Sequence, residues 1–233
     1  GRKCFITNGG VASFYCVTAM TDKSKGVKGI SMFLVDAGTP GLSTGHEENK
    51  MGIRGSSTYE LIFEDCRIPA DSMLGVRGKG FPIAMHTLDG GRIGIASQAL
   101  GLAEGALERT IEYTKERKQF GRTIAQQQNT QFQLANMATK VEAAKNLVYK
   151  AALKKQQFAD GARVSYSVEA AMAKLFAAEV AMEVTTKCVQ LFGGYGYIRE
   201  YDVERMMRDA KITEIYEGTY EVQRMVISAD LLK

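Results

Sequence analysis

The stretch IGIASQALGLAEGALERTI, residues 93–111, repeats apolar side chains at intervals of three and four residues. This spacing places them on one face of an α-helix. Two later stretches repeat the pattern, so we predict three long amphipathic helices in succession. The periodic positions are Ile93, Ala96, Leu100, Ala103, Leu107 and Ile111, then Leu134, Met137, Val141, Ala144, Val148 and Ala151, then Ala171, Leu175, Ala178, Met182, Thr185 and Val189.

Glycine-containing breaks separate these helices, as expected where helices end. The breaks are RKQFGRTI (117–124), FADGARVS (158–165) and FGGYGY (192–197), and a last helix is predicted from about Thr219 to Leu232. Four helices with short connections indicate an up-and-down four-helix bundle, whose core or rim can hold a ligand.

The residues before the bundle have a different pattern. Short β-branched and aromatic runs alternate there with turn sequences, which is typical of antiparallel strands. The runs are KCFIT (3–7), FYCVTAMT (14–21), GISMFLVDA (29–37) and TYELIFEDCRIP (58–69). We therefore predict an α+β fold, with a partial antiparallel β-domain in residues 1–75 and the helical domain in residues 76–233.

The chain opens directly in the strand-like KCFIT without an initiator methionine, so we expect a fragment. A sheet cut at this point would leave an unpaired edge at Lys3–Thr7 that another chain must cover.

Composition excludes several classes of protein. The 30 Lys and Arg residues against 26 Asp and Glu residues are spread along the chain, which favours a small polyanionic ligand over nucleic acid. Four widely spaced cysteines (Cys4, Cys16, Cys66 and Cys188) and two histidines predict neither a zinc site nor a disulfide framework, and they favour a reducing compartment. No apolar run approaches the roughly 20 residues of a membrane span.

Familiar site motifs are also missing. GKG at 78–80 and GYG at 194–196 lack the third glycine of a dinucleotide fingerprint, and no Walker A or G-x-S-x-G sequence occurs. A di-iron site needs Glu-x-x-His pairs, but neither His46 nor His86 follows a glutamate by three residues. We predict no metal site.

The octapeptide EIYEGTYE, residues 214–221, contains the strongest candidate for a general base. Glu217 has apolar bulk on one side and a glycine on the other, which allows a ligand to approach the backbone closely. The alternative is a solvated turn residue near a helix start. Glu214 is expected to pair with Arg208 or Lys211, and Glu221 to complement the dipole of the last helix.

Six segments in one order resemble the acyl-CoA dehydrogenase family, and most of all its short-chain (butyryl-CoA) members. They are ITNGG (6–10), MGIRGSSTYELIFEDCRIP (51–69), LDGGRIGIASQALG (88–101), ERKQFGRTI (116–124), QLFGGYGY (190–197) and RDAKITEIYEGTYEVQR (208–224). The resemblance implies that an N-terminal helical domain and part of the middle β-domain are absent from this chain. It also implies flavin-dependent oxidation of the Cα–Cβ bond of an acyl-CoA, or the reverse enoyl-CoA reduction.

The resemblance implies a role for each matching residue. Glu217 takes the α proton, while the β hydrogen leaves as hydride to N5 of FAD. Substrate contacts are implied at Asp89, Gly90, Gly91, Arg92, Tyr216 and Gly218, with the Asp89–Arg92 segment at the CoA moiety. FAD contacts are implied at Phe5, Ile6, Thr7, Arg117, Phe120, Gln128, Gln190, Leu191, Phe192, Gly193, Gly194, Thr219, Tyr220 and Glu221.

Structural alternatives stand beside several of these assignments. Asp89 and Arg92, three residues apart, also fit an ordinary surface pair on a helix. Phe5 fits a sheet core, Phe120 a core aromatic that anchors its loop, and Gln128 a solvent residue at a helix start. Gly193 and Gly194 equally fit a simple helix stop.

Partners and location follow from the same resemblance. It implies electron-transfer flavoprotein as redox partner, a homotetramer, and the bacterial cytoplasm, or the mitochondrial matrix if the source is eukaryotic. An acyl-CoA oxidase that uses oxygen, and a non-catalytic CoA-binding or oligomerisation fragment, remain alternatives. Because part of the flavin site is expected to be missing, we predict that this chain alone binds FAD poorly.

Overall fold

A computed structural model describes residues 1–233, which divide into two compact units, Gly1–Thr87 and Leu88–Lys233. The strands are β1 (Arg2–Thr7), β2 (Phe14–Met20), β3 (Ile30–Asp36), β4 (Leu42–Glu47), β5 (Thr58–Phe63), β6 (Met73–Leu74), β7 (Lys118–Gln119) and β8 (Arg122–Thr123). The α-helices are α1 (Gly80–Glu116), α2 (Gln128–Ala159), α3 (Ser167–Phe192), α4 (Val203–Ile212) and α5 (Tyr220–Leu231). The predicted α+β class is confirmed. The domain boundary predicted between residues 75 and 76 stays a prediction.

The first unit contains two antiparallel three-stranded sheets, in the orders β1-β5-β4 and β2-β3-β6. The longest pairing joins β2 to β3 from Phe14 opposite Asp36 to Met20 opposite Ile30. All four predicted strands form, and β1 lies at a sheet edge as expected. The strand β4 was not predicted, because its LSTGHE sequence lacks the run of β-branched and aromatic residues that marks a strand.

The second unit is built around an alanine-rich core. Of its fully buried side chains, many are alanines on α1 and α3, so the helices can pack closely. The periodic positions of the three long helices are mostly buried, as predicted. None of the helices combines the length and apolar character that crossing a membrane requires.

One helix was not predicted. The segment α4 has only 10 residues and is rich in charge, but Val203, Met206 and Ala210 form a short buried stripe on it. The last predicted helix corresponds to α5, and the turn between α4 and α5 carries the octapeptide 214–221.

Candidate active site

Two consecutive residues in the turn between α4 and α5 have left-handed backbones. Glu217 has φ of 55° and Gly218 has φ of 92°. A left-handed conformation costs a residue with a Cβ about 1–2 kcal/mol, so it persists only where the surroundings impose it. The left-handed backbone of the turn therefore gives the Glu217 side chain a direction that a residue with ordinary helical backbone would not have.

The Glu217 carboxylate is sheltered from solvent. Its Oε2 atom is buried and has no hydrogen-bond partner. It lies against Gly91 of α1, where an added Cβ would be only 2.3 Å from Oε2. Burial raises the pKa of this carboxyl, and the nearby charges of Arg92 and Lys174 partly oppose the increase. An unpartnered carboxylate with a raised pKa has the properties of a general base.

The other two carboxylates of the octapeptide have different environments. Glu214 forms an ion pair with Lys211, one of its two expected partners, and accepts a hydrogen bond from the Tyr220 hydroxyl at 2.9 Å. Glu221 is exposed in the first turn of α5, and a hydrogen bond from the Thr219 side chain is the main cause that lowers its pKa. Both oxygens of Glu214 thus have partners, whereas Glu217 keeps an unpartnered one.

Asp89 and Arg92 are not a surface pair. Arg92 is only 5% exposed, and its guanidinium donates to Asp89 at 2.7 Å. Asp89 also accepts from the Ser167 hydroxyl at 2.5 Å, and Arg92 Nε has no hydrogen-bond partner. The buried Arg92 charge lowers the pKa of Glu217, so it acts electrostatically on that carboxyl. Its contact with CoA stays a prediction, as do those of Gly90 and Gly91.

Five of the residues predicted to bind FAD line one cavity of about 500 Å³. They are Arg117, Leu191, Phe192, Gly193 and Gly194. Aromatic rings form part of the wall: Tyr113 stacks on Phe192 with ring centroids 4.0 Å apart, and the Arg117 guanidinium lies 5.0 Å from the Tyr195 ring centroid. Neither tyrosine was predicted as a site residue.

The remaining predicted cofactor residues of the second unit lie outside this cavity. Phe120 is 94% exposed, with φ of 55°, in the turn between β7 and β8, so the alternative of a core aromatic is wrong. Gln128 and Gln190 are exposed, at the start of α2 and near the end of α3. Thr219 caps α5 with extended backbone, and the half-buried Tyr220 bonds to Glu214.

In the first unit, Phe5 is 74% exposed with φ of 56°, so its sheet-core alternative is also wrong. Ile6 is half-buried and Thr7 is exposed on the same strand. Their contacts with FAD stay predictions.

Three polar residues near Glu217, two of them fully buried and Gln98 half-buried, were not predicted from the sequence. Lys174 on α3 and Gln223 on α5 are fully buried beside the turn. Gln98 on α1 accepts a hydrogen bond from the Tyr216 hydroxyl at 2.5 Å. The lysine had a visible signal, since it lies three residues after Ala171 and four before Ala178, on the apolar face of the predicted helix.

Comparison with known proteins gives a consistent result. Residues 78–232 match the family model for the acyl-CoA dehydrogenase C-terminal domain, and residues 1–66 match the one for the middle domain. A short-chain-specific acyl-CoA dehydrogenase of Clostridium acetobutylicum is 60% identical over 233 residues, which is 100% of this chain and 60% of the relative.

Two solved structures have nearly the same fold. The butyryl-CoA dehydrogenase of Megasphaera elsdenii has a TM-score of 0.97 at 58% identity, over 100% of this chain and 60% of that one. A chain from a structure described as the electron transferring flavoprotein of Acidaminococcus fermentans also has a TM-score of 0.97 at 58% identity, again over 100% of this chain and 60% of that one. The chain thus spans about 60% of the length of the relatives it matches.

Proposed function

The chain belongs to the acyl-CoA dehydrogenase family, and we propose that the whole protein oxidises the Cα–Cβ bond of a short-chain acyl-CoA with Glu217 as base. The observation that carries this proposal is the buried, unpartnered Oε2 of Glu217. The short-chain preference is supported by the 60% identity to a short-chain-specific relative.

Glu217 performs the proton transfer at the α carbon. Its carboxylate takes the α proton, and burial favours the protonated product because it raises the carboxyl pKa. Gly218 follows the base directly in the turn, and we expect its backbone to meet the substrate. In the reverse direction the same protonated carboxyl returns its proton to Cα of an enoyl-CoA.

We propose FAD as the cofactor, which when bound supplies a hydride acceptor for the β carbon. The residues present fit such a group. Arg117 offers a guanidinium suited to a diphosphate. A Cβ added to Gly193 or Gly194 would meet nothing within 4 Å, so a ligand can approach the chain closely at these glycines. These residues would bind and orient the cofactor, and Glu217 would handle the proton.

We propose electron-transfer flavoprotein as redox partner, supported by the structural match to a chain from a structure described by that name. A homotetramer is supported by the family relationship, and an exposed Phe120 fits a residue that another subunit covers. Four free cysteines and the bacterial relatives support a place in the bacterial cytoplasm.

Anaerobic titration of the whole protein with butyryl-CoA tests the proposal. We expect the oxidised flavin band to bleach in proportion to added substrate. Reoxidation by electron-transfer flavoprotein without peroxide identifies a dehydrogenase, whereas stoichiometric peroxide in air identifies an oxidase. Binding of butyryl-CoA without any bleaching would contradict the proposal and favour a non-catalytic CoA-binding module.

A further inference from the structure

The buried ammonium of Lys174 has no part in the mechanism proposed above. This residue is fully buried on α3, and its Nζ donates a hydrogen bond of 2.6 Å to the backbone carbonyl of Gly218. The Nζ also lies 5.8 Å from the Tyr220 ring centroid. None of the ion pairs of the structure includes Lys174. Removing an ammonium from water in this way is energetically unfavourable.

Gln223 binds the same turn from the other side. Its Nε2 donates to the carbonyls of Glu217 and Gly218 at 3.2 and 2.9 Å, and the side chain is fully buried. The Oε1 atom of this amide has no partner. The two carbonyl acceptors fix the amide orientation, because the opposite orientation would place an oxygen against oxygens.

The two carbonyls belong to the two left-handed residues. Holding both of them fixes the backbone from which the Glu217 side chain leaves, and so fixes the carboxylate over Gly91. From these contacts we infer that Gln223 is a positioning residue that holds the base Glu217 in its working geometry, and that Lys174, bound to the same turn, places a positive charge beside that base. This inference rests on the proposed role of Glu217.

The two residues contribute differently. Gln223 already gives each carbonyl a donor, so Lys174 is not needed to satisfy them. What Lys174 adds is a positive charge beside the base, which lowers the Glu217 pKa against the effect of burial. Burial, followed by the Arg92 charge, lowers the pKa of Lys174 itself to about 8, so the residue remains largely charged at neutral pH.

Several other charged and titratable groups surround the pair. Arg92 on α1 also lowers the pKa of Glu217, and Tyr216 lies next to Glu217 in the turn. Glu214 in the turn and Glu221 on α5 act on Lys174, whose pKa they raise. All of these groups remain in the variants below, so a difference between variants reports the substituted side chain.

The test compares Lys174→Met with Gln223→Leu in the whole protein. Lys174→Met removes the charge, so the acid limb of kcat/KM and the Glu217 carboxyl titration must both move to higher pH. The titration is followed by ¹³C NMR of labelled glutamate, assigned with Glu217→Gln. Gln223→Leu removes donors without changing charge, so it lowers kcat by roughly 10-fold or more with a much smaller move of either midpoint.

Lys187→Met is the matched control. This lysine lies 13 residues further along α3 (187 minus 174), about 20 Å away, and pairs with Glu183. If Lys174→Met fails to fold, Lys174→Gln removes the same charge but keeps a donor, and its midpoints must rise as well.

The NMR titration needs no turnover, so it tests the effect of the Lys174 charge even if the proposed function fails. A Glu217 midpoint that is unchanged in Lys174→Met, or that moves equally in Lys187→Met, overturns the role of the Lys174 charge. Unchanged kcat in Gln223→Leu overturns the role of Gln223.

Discussion

Substituting alanine for Gly218 perturbs the turn at its tightest point. Gly218 has φ of 92°, and a Cβ there would lie 2.6 Å from Gln223 Nε2 and 3.3 Å from Val222 Cγ1. Gln223 is fully buried and donates to two carbonyls, so its amide cannot move aside without breaking those bonds.

The expected loss of stability has two parts. The left-handed backbone costs alanine about 1–2 kcal/mol. Displacing the Gln223 amide leaves a buried acceptor unsatisfied, which costs about 1–3 kcal/mol. The free energy of unfolding of the helical unit should therefore fall by about 2–5 kcal/mol, and its Tm by about 4 °C or more.

Urea and thermal unfolding followed by far-UV circular dichroism measure this loss. Gly94→Ala is the control, because Gly94 is exposed within α1 and an added Cβ would meet nothing within 4 Å. That control should be stabilised by about 0.5–1 kcal/mol. If Gly218→Ala unfolds at the same urea concentration as wild type, the turn is not held in the way described.

Three further predictions concern pH, flavin binding and the core. Burial raises the Glu217 pKa, and the base must be deprotonated to act. The midpoint of the acid limb of the kcat/KM profile should therefore lie above the ordinary range of glutamate pKa values. A midpoint within that range would contradict the burial of the Glu217 carboxylate. Arg117→Gln should weaken flavin retention during dialysis about 10-fold or more, with little change in Tm. The control Arg122→Gln, on β8, should retain flavin. Equal losses of flavin in the two variants would refute the assignment of the cavity to FAD. Met137→Ala in the core should lower the free energy of unfolding in urea by about 2–5 kcal/mol. Met225→Ala, at the exposed face of α5, should lower it by less than about 0.5 kcal/mol. Similar losses in the two variants would contradict the burial of Met137.

The parts of the fold that could be predicted are those in which a periodic pattern of apolar residues extends over many residues. The helices α1, α2 and α3 each repeat apolar residues over several turns, which a sequence shows directly. The short elements β4 and α4 could not be found this way, because pairing with β5 stabilises the first and a few buried contacts stabilise the second.

The site was predictable in its residue types but not in its geometry. The sequence indicates that Glu217 stands between apolar residues and a glycine, but not that its carboxylate lies over Gly91, 126 positions earlier (217 minus 91). The burial of Arg92 was missed for the same reason, since a pair three residues apart on a helix is more often at the surface. For Phe120 and Phe5 the difference is in the opposite direction. Aromatic residues are expected to be buried when the sequence alone is considered, but both of these are exposed.

The central claim is that Glu217 takes the α proton, and exchange of that proton tests it without requiring oxidation of the substrate. The whole protein is incubated anaerobically in D₂O with butyryl-CoA, and deuterium at Cα is followed by NMR for wild type and for Glu217→Gln. The account predicts rapid exchange in wild type and a rate lower by about 10²–10⁴-fold in the nearly isosteric variant, with substrate binding retained. Exchange at the wild-type rate in Glu217→Gln would contradict it.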